Sequence, residues 1–366
     1  MKLVRSEKFA AVLILLAAVL GFIFANSSVA GALEYLMHLP LNFGTTLELE
    51  KWVSELGLAF FFLLIGIELR HEFAHGSFRE PKNAFPPLVA AILGVVAPAL
   101  IYAAVNFGDS SAIRGWAIPT ATDVTFAMAV FLLFGQRLPT LARTFLLTVV
   151  VADDLIAIII IAVLYPTGFQ PAYLGLGAML AVCFWGVFRC GWKPWVRFAL
   201  GAVLGLAIWF CFLESGIHPV IAGVILGALL PDRASRATEK AIVLPTNLVI
   251  LPLFAAFSAA VSVSQIGELN GIVIGIMLGP IGKVIGIAVG GWLGYKLIKS
   301  PNKLSFANLA RLGALGGIGF TVSLLVAQLS FRDQPELASQ SVFAVLVASV
   351  VTIVLGSVAL ATAKRT

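Results

Sequence analysis

Hydrophobic positions along this chain fall in long blocks with almost no polar residue inside them, and the polar residues collect in the short segments between. A helix rises about 1.5 Å per residue and needs roughly 20 apolar residues to cross the hydrocarbon of a bilayer. Twelve blocks approach that length, at residues 9–25, 56–69, 85–105, 115–134, 141–165, 171–188, 198–213, 216–230, 244–263, 271–293, 304–329 and 341–361. The second and eighth are short. The pattern predicts an all-α membrane protein with twelve transmembrane helices. No low-complexity or linker segment separates a further unit, so residues 1–366 read as a single integral membrane domain. One external loop, at about 26–55, is long; its stretch Leu39-Pro40-Leu41-Asn42-Phe43-Gly44-Thr45-Thr46-Leu47, turn-rich between apolar residues, is a candidate hairpin.

Composition and charge refine this picture. Hydrophobic residues make up 60% of the chain and charged ones 11%, with mean hydropathy +1.03, which excludes ordinary soluble usage and makes lipid the surrounding partner. Threading the blocks from a cytoplasmic N-terminus puts 20 of the 24 Lys and Arg on the cytoplasmic side, with only Lys51, Arg114 and Arg332 outside and Lys283 within a span. That asymmetry supports an even number of crossings with both termini cytoplasmic. The net charge of +6 therefore reports topology; the basic residues are spread over seven segments, form no stripe and imply no nucleic-acid partner. The first block follows Lys2, Arg5 and Lys8 and has the alternative reading of a cleaved signal peptide, which would leave the other eleven unchanged. Cys183, Cys190 and Cys211 are odd in number and lack metal-ligand spacing, so they read as small packing residues.

Two blocks are interrupted. The fourth carries Pro119-Thr120-Ala121-Thr122-Asp123, where Pro119 withholds a helical donor and the threonines can satisfy freed carbonyls; the eleventh carries Gly313, Gly316, Gly317 and Gly319. Glycine and proline are common in membrane helices generally. Here, however, the fourth span runs inward and the eleventh outward, so spans 3–5 and 10–12 form inverted-topology repeats with a break at corresponding positions, the pointer to a transport site. Gly282, Gly286, Gly290 and Gly294 recur along the tenth span as a seam for close helix packing.

Charges inside the spans carry the chemistry. Asp153 and Asp154 lie ten residues beyond Arg143, about 15 Å into the bilayer; Asp123 lies nine beyond Arg114; Lys283 is central in the tenth span. A charge at that depth costs on the order of 3 kcal/mol, which argues for a water-filled cavity and a task; the blander reading is a buried salt-bridge cluster that fixes packing. Neighbours on a helix point about 100° apart, so one aspartate can bind an ion while the other pairs with Lys283. Na⁺ and Li⁺ are hard cations that prefer carboxylate, hydroxyl and free carbonyl oxygens, and the same oxygens take protons, so the two ions compete for one site. Asp123 would compensate the positive N-terminal ends of half-helices, and a cation such as Lys283 the negative C-terminal ends.

Pro119-Thr120-Ala121-Thr122-Asp123, followed by Ala152-Asp153-Asp154-Leu155 and a run of isoleucines, resembles the NhaA family of bacterial sodium/proton antiporters. Phe61-Phe62-Leu63-Leu64-Ile65-Gly66-Ile67-Glu68, Ser215-Gly216-Ile217-His218, Ile250-Leu251-Pro252-Leu253-Phe254, Gly282-Lys283 and Gly317-Ile318-Gly319-Phe320-Thr321 extend the similarity over nearly the whole chain. The resemblance implies twelve helices with two crossed broken spans, Asp154 as principal ion ligand with Na⁺ held at Asp154 and Asp153, Asp153 paired with Lys283, and Asp123 with Thr122 at the crossing. It further implies electrogenic exchange of two protons per sodium in the inner membrane, no cofactor, activation by alkaline pH, and a homodimer held partly by the external hairpin. The sequence departs from the family at Ala255-Ala256-Phe257-Ser258-Ala259, where an Asn-containing run is usual, and at Glu55, where Asp is common.

Other readings exist for some residues. His71-Glu72-Phe73-Ala74-His75 matches the His-Glu-x-x-His pattern of zinc peptidases, but it stands at the cytoplasmic end of a span beside Arg70 and Gly76 with no third ligand in prospect. The family reading instead makes Glu68, Glu72 and His71 part of a cytoplasmic funnel that tunes activity with pH, and His218 is a second candidate alongside simple capping; histidine's unperturbed pKa of about 6.5 suits that role. An intramembrane aspartyl protease using Asp123 lacks a Gly-x-Gly-Asp sequence and leaves Lys283 unexplained. A sodium-coupled symporter of an organic solute would require Na⁺ for solute uptake.

Overall fold

A computed structural model describes residues 7–42, 46–265 and 269–363 and is helical nearly throughout. In chain order the helices are α1 (Glu7–Ala25), α2 (Ala30–Met37), α3 (Leu49–His75), α4 (Pro81–Val105), a 3₁₀ segment (Ala112–Thr120) leading to α5 (Val124–Phe134), α6 (Thr140–Leu164), α7 (Pro171–Arg189), α8 (Pro194–Ser215), α9 (Val220–Leu229), α10 (Asp232–Ser258), α11 (Gly271–Leu297), α12 (Phe306–Gly316), α13 (Phe320–Ser330) and α14 (Pro335–Ala361). Among the described residues ten helical stretches are long and apolar enough to cross a bilayer, and α12 with α13 form an eleventh crossing bent by 55°. The protein is therefore a multi-pass membrane protein.

The expected eighth span is the exception. Helix α9 has only ten residues, about 15 Å of rise, roughly half the hydrocarbon thickness. Gly216 adopts a left-handed conformation (φ 81°) that ends α8, the carbonyls of Ser215 and Gly216 accept from Gln170 N and Thr167 N, and the helix resumes only after Pro219. The second span is longer than its apolar block because α3 begins in the external loop and includes a π-helical turn at Trp52–Gly57. Helix α10 likewise extends beyond its apolar block, with Pro245 adjoining a π-helical turn at Thr246–Ile250.

The long loop after the first span forms an unexpected helix, α2, and a two-stranded antiparallel pair, β1 (Pro40–Asn42) with β2 (Thr46–Glu48), in which Leu41 faces Leu47. The turn of the candidate hairpin, 43–45, lies outside the described residues. Trp52 Nε1 donates to the Leu41 carbonyl, and the Trp52 ring stacks on Trp209 at 5.8 Å, so the pair is anchored to α3 and α8.

Two glycine seams organise the bundle. Added Cβ atoms at Gly282, Gly286, Gly290 and Gly294 would collide with the backbone of α4 at Pro98, Leu93, Ala90 and Pro86, so α4 and α11 lie backbone against backbone. A second seam, not anticipated, brings Gly66 of α3 onto Val224, and Gly223 and Gly227 of α9 onto Ala59 and Leu63.

Candidate functional site

Both interrupted spans break where the sequence indicates. The fourth leaves its 3₁₀ segment at Thr120 for an extended strand through Ala121 (φ −78°, ψ 152°) and Asp123 (φ −98°, ψ 107°), and restarts as α5. The eleventh stops at Gly316 and restarts at Phe320. The breaks meet: Asp123 N donates to the Ile318 carbonyl at 2.6 Å and Thr122 Oγ1 to the Gly316 carbonyl at 2.6 Å. Backbone groups freed inside a low-dielectric bundle must find partners, and each strand supplies them to the other. Ser323 Oγ closes the far side by donating to the Ile118 carbonyl at 2.8 Å.

Asp123 caps two helices at once. Its Oδ1 accepts from Thr125 N (3.0 Å) and Phe126 N (3.3 Å) at the start of α5, while Oδ2 accepts from Thr321 N (3.0 Å) and Thr321 Oγ1 (2.7 Å) at the start of α13. The expected compensation of positive helix ends is thus met by a single carboxylate. Thr321 and Ser323 received no role from the sequence; the available signal was a hydroxyl pair just past Gly319, mirroring Thr120 and Thr122 ahead of the other helix restart.

Lys283 is placed differently from the expectation that it would face helix C-terminal ends. Its Nζ lies 2.7 Å from both Oδ1 and Oδ2 of Asp153, and the Gly316 carbonyl is taken by Thr122 instead. Both members of the ion pair are 1% exposed. Gly94 on α4 and Gly313 on α12 leave the space through which α11 passes at this level.

Asp154, 4% exposed, is one residue further along α6 and so about 100° around the helix from Asp153. Among the described residues no hydrogen-bond donor reaches its carboxylate, while Asp153, Glu68, Asp123 and Lys283 all lie within electrostatic reach. Lys283 balances Asp153, and four donors with two helix termini support Asp123.

The remaining candidates lie elsewhere. Half-buried Glu68 is on the basic-end half of α3 and shares the field at Asp154. One turn on, Glu72 Oε2 accepts from Ser77 N at 3.0 Å, and Thr148 Oγ1 of α6 donates to Ser77 Oγ at 2.9 Å, so Glu72 secures the turn after α3. The His71 and His75 rings lie 5.4 Å apart, with His75 Nε2 3.8 Å from Asp232. No group of three His, Cys, Asp or Glu side chains suited to a metal ion occurs among the described residues. His218 Nδ1 accepts from Val220 N at 3.4 Å and its Nε2 lies 3.7 Å from Glu55 Oε2; its contacts are with the start of α9 and with α3, apart from the aspartate pair.

Two interrupted helices crossing at buried oxygens, beside an uncompensated carboxylate, define a secondary ion transporter. The chain belongs to the Na⁺/H⁺ antiporter 1 family, whose model matches residues 1–360. It is 42% identical over 381 residues to Na⁺/H⁺ antiporter NhaA 2 of Clavibacter michiganensis subsp. michiganensis, covering 99% of this chain and 92% of that one. It is 37% identical over 371 residues to Na⁺/H⁺ antiporter NhaA of Proteus mirabilis, covering 96% and 94%. The solved sodium proton antiporter MjNhaP1 of Methanocaldococcus jannaschii at pH 8 shares the fold, with a TM-score of 0.60 over 94% of this chain and 90% of that one at 17% identity.

Proposed function

We propose that this chain exchanges Na⁺ or Li⁺ for protons across a bacterial inner membrane, with Asp154 as the alternating ligand. The observation that carries the proposal is the contrast within one aspartate pair: Asp153 is neutralised by Lys283, whereas no donor reaches Asp154 among the described residues. A proton and a small hard cation each balance that carboxylate, and neither fits while the other is bound. Thr122 and Asp123 hold the crossing that shapes the site.

Two protons per sodium make the exchange electrogenic, so the membrane potential, worth about 2.3 kcal/mol per charge per 100 mV, drives sodium out. The regulatory part of the proposal assigns Glu68, Glu72 and His71 to a cytoplasmic pH response with His218 as an external contributor. The strand pair β1–β2 is assigned to a homodimer contact, and with α9 as a short twelfth crossing both termini face the cytoplasm, in line with the basic-residue asymmetry.

The test is direct. Everted vesicles holding a pH gradient should lose it on addition of NaCl or LiCl and keep it on addition of choline chloride. Retention of the gradient with all three salts removes the proposal, and Na⁺-dependent accumulation of an organic solute without proton flux replaces it with symport.

A further inference from the structure

Helix α14 ends at the basic end of the bundle, where the carbonyls of its last turn run out of helical N–H partners and that of Ala359 accepts from Thr362 Oγ1 at 3.3 Å. Two arginines take them. Arg311 Nε, on α12, donates to the Ala359 carbonyl at 3.1 Å, while its Nη1 is held by Asn308 Oδ1 at 2.9 Å. Arg137, in the 3₁₀ turn that follows α5, donates through Nη1 to the Ala361 carbonyl at 2.8 Å and lies 3.5 Å from that of Ala363. A guanidinium on helix C-terminal carbonyls makes a charge-assisted hydrogen bond and meets the negative end of the helix dipole.

The two donors belong to the two interrupted spans. Arg137 closes the half-helix that starts at Asp123, and Arg311 sits one and a half turns before Gly316, where the other half-helix stops. At their inner ends these halves are joined by the bonds from Thr122 to Gly316 and from Asp123 to Ile318. One helix terminus therefore holds both halves, α5 at its end opposite the crossing and α12 at mid-length. Each half has only 11 residues, so its orientation depends on being held away from the crossing as well as at it.

We propose that Arg137 and Arg311 are positioning residues for ion exchange: through the α14 terminus they fix the two half-helices, and so keep the crossing in the register that the ion site requires. This rests on the antiport reading above. Arg311 is half-buried and Arg137 exposed, so water competes less at Arg311 and its removal has the larger effect.

The experiment compares wild type, Arg137→Ala, Arg311→Ala, Arg311→Lys and a chain ended at Val358, which keeps both arginines and lacks the acceptor carbonyls. Expected for Arg311→Ala is a rise in the KM for Na⁺ on the order of threefold to tenfold with the maximal rate little changed, because misplaced ligands weaken binding. Arg311→Lys recovers part of the affinity, and the shortened chain reproduces the rise. Amide hydrogen exchange at Asp123 and Thr321 should quicken in the same variants, a readout that needs no transport. Folded Arg311→Ala with wild-type KM and wild-type exchange at the crossing overturns the proposal; should that variant fail to fold, the chain ended at Val358 decides by the same two measurements. Wild-type vesicles without Na⁺-dependent flux would remove the antiport reading instead, and the amide measurement would still judge the clamp.

Discussion

Lys283 on α11 and Asp153 on α6 form a two-armed ion pair, Nζ 2.7 Å from each carboxylate oxygen, closed off from solvent and separated by 130 positions in the chain. This pair decides which of two neighbouring aspartates is available. It also makes the bundle sensitive to the loss of either partner, since a buried charge left alone has neither water nor a counter-ion.

Lys283→Ala is expected to destabilise by about 3–5 kcal/mol, the usual penalty for orphaning a buried charge. The double variant Asp153→Asn with Lys283→Met should lose much less than the two single losses summed, because neither charge is then stranded. Thermal melting in detergent measures this. Additive losses would mean that the pair is not energetically joined.

Asp154→Asn should behave in the opposite way. With no donor reaching the carboxylate among the described residues, the amide breaks no hydrogen bond, so melting stays near wild type while Na⁺-dependent proton flux disappears. A variant that melts as low as Lys283→Ala would show the carboxylate to be structural.

The sequence made the site residues legible because charge is so expensive in lipid that each intramembrane Asp or Lys stands out against its block. It did not show what each one touches. Of the two placements expected for Lys283, on Asp153 and at helix C-terminal ends, the structure has the first, since direction around a helix is set by packing that block lengths do not encode. Thr321 and Ser323 stayed hidden because hydroxyls are cheap in a membrane helix and raise no signal until a break is placed opposite them. The eighth apolar block forms the ten-residue α9, shorter than the block because Gly216 adopts a left-handed conformation and residues 216–219 stay outside the helix. The seam of Gly66 with Gly223 and Gly227 joins two elements whose pairing no local pattern announces.

Thr321→Val removes the hydroxyl that donates to Asp123 Oδ2 and leaves the backbone donor from the same residue. Losing one hydrogen bond to a charged group costs about 1.5–3 kcal/mol. Asp123→Ala removes all four acceptor contacts and uncaps both half-helices, so its loss should be clearly larger. Melting of the two variants side by side checks the order; equal losses would mean that the contacts of Asp123 with the start of α5 contribute nothing.

Outside the membrane, His38 Nδ1 lies 3.0 Å from Glu48 Oε2, joining the end of α2 to β2. The hydrogen bond to Glu48 raises the His38 pKa, and the same bond lowers that of Glu48. The sign follows for each group. Stabilisation from His38 is full below its ordinary value of 6.5 and fades as pH rises through the raised value; stabilisation from Glu48 is present above 4.5 and fades as pH falls through the lowered value. Amide protection in β2, taken relative to the intrinsic base-catalysed exchange rate, should be highest between those limits and fall in alkali, and His38→Gln should flatten the alkaline limb. A limb unchanged in that variant assigns the effect to another group.

Glycines on the two kinds of helix surface should respond oppositely to a methyl group. At Gly175, on α7, an added Cβ meets nothing within 4 Å, so Gly175→Ala gains up to about 1 kcal/mol from helix propensity. At Gly286 the Cβ would be driven into the Leu93 carbonyl, and no side-chain rotation can relieve a clash with backbone. Helices α4 and α11 must then separate. Because Lys283 lies one turn from Gly286 on the same helix, that separation draws the ammonium off Asp153, and exchange should fall together with stability. Gly286→Ala is therefore expected to lower both the melting temperature and Na⁺-dependent proton flux, while Gly175→Ala lowers neither. Full flux in a destabilised Gly286→Ala protein would mean that the seam holds the bundle together without positioning the ion pair.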